Sequence, residues 1–126
     1  LLHQREEALP PKLTVEGLSK TLDYIDKVMA DLPKADMARD DATWITREFT
    51  LSAAFMRFAC HVGIARLEAG NAGTSALPAA KRHELAAELE PLLPEFRQVW
   101  LLRNRSGGLK DSAGRFESLL AILNAE

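Results

Sequence analysis

The stretch ending at Glu68 most constrains what this chain can fold into. Trp44, Ile45, Phe49, Ser52, Phe55, Met56, Ala59, Val62, Gly63 and Leu67 recur at helical spacing and mark one broad apolar face. Leu51, Phe58 and Ile64 widen that face beyond what one neighbour could cover. Such a helix belongs in the middle of a domain, with partners on more than one side. The pattern predicts a helix from Ala38 or Asp41 to Glu68, closed by Gly70. Ala53, Ala54, Ala59 and Gly63 are small and allow another helix to approach closely.

The segments on either side carry the same period. Val15, Leu18, Leu22, Ile25, Val28, Met29 and Leu32 fall on one stripe, with Glu16, Lys20, Asp23, Asp26 and Lys27 away from it. A helix is expected from Val15 to Leu32, capped by Thr14 and stopped by Pro33. A third starts near Pro78 and carries Leu85, Leu89, Leu92, Leu93, Phe96, Val99, Trp100 and Leu102. Pro91 and Pro94 lie inside that pattern, and each removes a backbone donor and crowds the preceding turn. A kink or split is therefore expected near Glu90. A last helix runs from about Ser112 to Asn124, with Phe116, Leu119, Leu120 and Leu123 inward. No stretch alternates as a strand would. The predicted fold is all-α: an antiparallel bundle of about four helices over residues 14–126, the third kinked or split near Pro91/Pro94. Residues 1–13 contain a possible helical turn and then Pro10-Pro11, and read as a linker or the tail of an upstream element.

Composition narrows the functional classes. At 126 residues the chain is one domain, and 47% apolar residues is too many for a disordered tail. A net charge of -2 argues against a general nucleic-acid binder, which needs a basic stripe to displace counterions. No apolar run reaches the roughly 20 residues that cross a bilayer, so no membrane partner is expected. No secretory leader is visible, which favours the cytoplasm, and a first residue other than Met suggests a processed product or a piece of something longer. The single cysteine excludes an internal disulfide.

Candidate chemistry is sparse. Cys60 and His61 could suggest a nucleophile and a base, but adjacent helical residues point about 100° apart and do not face one another. The expectation is a small buried thiol beside a half-exposed imidazole. His3, His61 and His83 lie on different segments without ligand spacing, so no metal and no cofactor is expected. Asp36, Asp40 and Asp41 precede a helix, where carboxylates cap N–H groups and favour the dipole. Gly70 to Ser75 faintly suggests a phosphate loop, yet it follows a helix and lacks the Gly-Lys-Ser/Thr ending, so it reads as a plain surface loop. No catalytic residue emerges.

One stretch stands apart. Phe96 to Ser112 begins as a helix and breaks at Asn104-Arg105-Ser106-Gly107-Gly108. Two adjacent glycines can take the left-handed backbone that ends a helix. Leu109 can pin the turn to a core, and Asp111 or Ser112 can cap the next helix. Arg97, Arg103, Arg105, Lys110 and Arg115 make a basic patch here, with Glu95, Asp111 and Glu117 within reach. Such a corner can be a solvated helix end, with arginines on its carbonyls. It can equally dock a neighbouring domain through Trp100 and arginines, which are favoured interface anchors.

The run WLLRNRSGGLKDSAGRFESLL resembles the W-L-x-R-N-R-x-G-G-L-x-D-S…R-(F/L)-E pattern near the C-terminus of some bacterial family 20 glycoside hydrolases of the β-N-acetylhexosaminidase type. The matching positions are Trp100, Leu101, Arg103, Asn104, Arg105, Gly107, Gly108, Leu109, Asp111, Ser112, Arg115 and Glu117. Ser106 stands where that pattern has proline. The resemblance implies a non-catalytic helical accessory domain that packs on a catalytic (β/α)8 barrel of the same polypeptide, bordering either the active site or a homodimer contact. Trp100, Arg103, Asn104, Arg105, Leu109, Asp111 and Arg115 are then the expected docking residues. The acidic pair of those enzymes lies on the barrel and has no match here, so no catalytic role carries over. The competing expectation is an independent helical interaction module unrelated to carbohydrate. It predicts a partner groove along the first or second helix, with Trp100 buried in the chain's own core.

Overall fold

A computed structural model describes residues 6–126. Among them the chain is all helical: α1 (Val15–Met29), α2 (Ala42–Glu68), α3 (Ala79–Leu89), α4 (Leu92–Arg103) and α5 (Leu109–Leu123), with single 3-10 turns at Leu32–Lys34 and Thr74–Ala76. The possible helical turn at the start of the chain, and His3 within it, fall largely outside the described residues.

Thr14 caps α1 as expected, its hydroxyl oxygen accepting from the Gly17 N–H at 3.0 Å. α1 ends three residues before the predicted Leu32. Pro33 cannot donate to a continuing helix, and the chain tightens into the 3-10 turn instead. The predicted third helix is split. Glu90 and Pro91 keep helical dihedrals, but Pro91 and Pro94 have no N–H to give, so α3 closes at Leu89 and α4 opens at Leu92. Glu90 N–H still bonds Ala86 O at 2.9 Å, and Leu93 N–H reaches back to Glu90 O at 3.4 Å. The bundle is thus four helices, the third in two pieces.

α2 runs through the middle, as its wide face required. On one side Phe58 and Val62 join Leu77, Leu85, Leu89, Leu119 and Leu123 in a core shared with α3 and α5. Phe55 continues it, stacked on Phe116 with centroids 4.5 Å apart and edge-on to Phe96 of α4 at 5.8 Å. On the opposite side Ala53 and Cys60 meet Leu18 and Ile25 of α1 in a smaller core. Ala53 is fully buried, and the missing side-chain bulk there is what lets α1 sit close.

The segment before Thr14 is tied to the domain. Leu9 is buried and exchanges two hydrogen bonds with the Asn71 side chain, at 2.9 and 3.2 Å. Arg66, wholly buried, donates to Ala72 O at 2.8 Å and to Glu7 O. The Glu6 carboxylate accepts from Ser75 N–H at 3.2 Å and Ser75 Oγ at 2.7 Å. The loop after α2 is accordingly a cradle rather than a plain surface turn. Asn71 adopts left-handed φ 60, and a Cβ on Gly73 would collide with the Glu6 carboxylate.

Candidate functional site

Two surfaces compete for a functional reading: the α4–α5 corner and an apolar groove between α1 and α2. In the corner, α4 ends at Arg103, and Asn104 turns the chain extended with φ -117 and ψ 154. Only one of the two glycines is left-handed. Gly108, at φ 86, precedes α5 rather than closing α4. α5 then starts at Leu109, earlier than the sequence suggested, so neither Asp111 nor Ser112 is its cap. Ser112 N–H bonds Gly108 O at 3.0 Å, and Asp111 sits in the first turn, where its charge suits the dipole.

Trp100 organises this corner. Its indole N–H donates to Arg105 O at 3.0 Å, its ring lies 5.7 Å from Phe96, and it borders Gly108. It is half-buried, not the core residue that the interaction-module reading predicted. Leu109 is also half-buried, while Arg103, Asn104, Arg105, Asp111 and Arg115 are exposed. The arginines do not converge on one face. Arg103 reaches α2, pairing with Asp41 at 3.2 Å and with Glu48. Arg97 pairs with Glu117 of α5. Next along the α2–α4 seam, Arg47 forks onto Glu95 with two bonds of 3.0 Å. That hydrogen bond and the Arg47 charge hold the Glu95 carboxyl below its ordinary value.

Asp41 is the residue before α2 but makes no side-chain cap bond. Its carboxylate is drawn off by Arg39, at 2.8 Å, and by Arg103. The Arg39 hydrogen bond, helped by the charges of both arginines, holds it below the ordinary carboxylate range. Cys60 and His61 point to different neighbours, as helical geometry demands. Cys60 is buried against α1, and burial pushes its thiol pKa up, away from nucleophilic use. His61 Nδ1 lies 2.8 Å from Glu88 of α3, half-exposed. Among the described residues, no group of His, Cys, Asp and Glu could hold a metal ion, and no helix is long and apolar enough to cross a membrane.

The lining of the groove is what the sequence left hardest to see. It encloses about 720 Å³ between α1 and α2, with Cys60 among the residues of its lining. Tyr24 is 67% exposed, Phe49 58%, Val28 51% and Met56 51%, all along its walls. The other flank of the same seam is closed by an ion pair, Arg57 to Asp26 at 2.8 Å. Sequence pattern placed Val28, Phe49 and Met56 on inward stripes. The available signal was a second row on α1, Thr21–Tyr24–Val28, lying beside the Leu18–Ile25 row that packs inward. The two surfaces meet at Glu48, which lines the groove and takes Arg103 from the corner. Compared with family models, curated proteins and solved structures, the chain matches none.

Proposed function

We infer that this chain is a non-catalytic helical docking domain, of the accessory kind that accompanies the catalytic barrel in family 20 glycoside hydrolases. The observation that carries the reading is the run from Trp100 to Glu117. Its distinctive positions are those that shape the corner: Trp100 across the turn, Gly108 in left-handed backbone, Arg103 tying α4 to α2. These contacts fix the shape of the corner and supply no reacting group, as a docking face would require. The chain alone is therefore expected to give no turnover of an aryl N-acetylglucosaminide. The reading frame upstream of Leu1 is expected to encode a barrel-length segment with an Asp-Glu pair. Turnover above blank, or a stop codon immediately upstream, refutes this reading.

A second reading rests on the groove. Four large apolar side chains at its walls are more than half exposed, a concentration that marks interaction surfaces. An independent helical interaction module would use that groove whether or not a barrel exists. Val28→Glu would then abolish partner binding, while a corner variant such as Arg105→Ala would leave it unchanged.

A further inference from the structure

We propose that the α1–α2 groove is the contact between two copies of this chain, α1 of each lying antiparallel along the other. The outer row of α1 carries four charges. Glu16, Lys20, Asp23 and Lys27 are all exposed and follow at intervals of four, three and four residues. At 100° per residue they fall within an arc of about 60°. Their charges alternate: negative, positive, negative, positive. Both the spacing and the charge order have a property that a merely solvated row does not need. Turned end for end, the spacing is unchanged and every sign is reversed. Two such rows laid antiparallel set Glu16 against the partner's Lys27 and Lys20 against the partner's Asp23, twice over by symmetry. Within one chain only Glu16 and Lys20 pair, at 2.7 Å.

The apolar row beside these charges supplies the contact's interior. Thr21, Tyr24 and Val28 adjoin the charged row on the groove side, facing Phe49 and Met56 of α2. A second α1 laid there covers all four large side chains, with the charges along its edge. This is the arrangement of an apolar seam with flanking ion pairs that sets partner and direction in helical assemblies. α1 also has an open side to offer. It packs on α2 through Leu18 and Ile25, and the Arg57–Asp26 pair closes the flank away from the groove.

The proposal stands apart from the accessory-domain reading, which survives its failure, because that reading is judged by the upstream frame and this one by mass in solution. The test is sedimentation equilibrium from micromolar to several hundred micromolar chain. The expected species at the upper end has twice the 13.9 kDa chain mass. Lys20→Glu/Lys27→Glu sets like charges opposite one another and should weaken association at least tenfold. Glu16→Lys/Asp23→Lys should do the same. Mixing the two variants should restore a mixed dimer, because each row again meets its opposite. Helix content by circular dichroism checks that both variants fold. A wild-type chain that stays at 13.9 kDa throughout overturns the proposal, as does a charge variant that associates as the wild type does. Failure of the mixed pair to recover overturns the pairing of the two charged rows.

Discussion

Gly107 and Gly108 are adjacent, equally exposed and identical in chemistry, yet replacing each with alanine should move stability in opposite directions. Gly108 holds φ 86, and alanine there pushes its Cβ against the backbone carbonyl, at a cost of about 1–2 kcal/mol. Alanine also restricts the unfolded chain, which returns about 0.4–1 kcal/mol. Steric overlap adds little, because the new Cβ would stand 3.7 Å from Trp100, an ordinary contact. Gly108→Ala should therefore lose about 1 kcal/mol net, lowering the melting temperature by about 3–5 °C. At Gly107 the backbone is not left-handed and a Cβ meets nothing within 4 Å. Gly107→Ala should then keep only the unfolded-state benefit, a gain of about 0.4–1 kcal/mol. Urea melts of the two variants beside the wild type measure both. Equal effects of the same sign would refute the claim that one glycine of the pair carries the turn.

Two further outcomes follow from buried and paired charges. Arg66→Met removes donors from Ala72 O and Glu7 O, and losing both of these part-buried bonds should cost about 1–3 kcal/mol. Hydrogen exchange at the Leu9 amide should quicken as the segment before α1 loosens. The Glu95 carboxyl titrates below its ordinary 4.5 in the folded chain, so its pairing with Arg47 adds stability above pH 4.5 and loses it as pH falls through the folded value. Glu95→Gln should flatten the stability profile on that acid side while leaving its neutral side sloped as before, as thermal melts across pH 3–6 would read.

Much of the helical layout was open to sequence reasoning because it depends on period and on proline. The width of the α2 face required neighbours on two sides, and the cores around Phe58 and around Ala53 are those neighbours. Pro91 and Pro94 announced the split because a missing donor acts locally. What escaped depends on contacts across the chain. Nothing near Glu6 in sequence says that its carboxylate will meet Ser75, so the Gly70–Ser75 loop looked bare. Asp41 looked like a cap because capping is judged from the next three residues, whereas its carboxylate turns back to Arg39, two positions before it, and out to Arg103, 62 positions on. The interaction-module reading expected a groove along the first or second helix, but its lining escaped for a third reason. Periodicity shows that Val28, Phe49 and Met56 lie on apolar stripes, but not how far round each helix its neighbour reaches.

The placing of α1 has a consequence for how the molecule comes apart. Its inward residues belong to the smaller core alone, while Phe58, Leu89 and Leu123 lock the remaining helices from the far side of α2. α1 can therefore swing away as a cooperative unit at a free energy below that of global unfolding. Cys60 is buried beneath it at the floor of the groove, and its rate of alkylation by a reagent too bulky for the groove would follow the fraction of time that α1 stands open. The lone sulfur is thus a built-in clock for the outermost helix, readable without mutation.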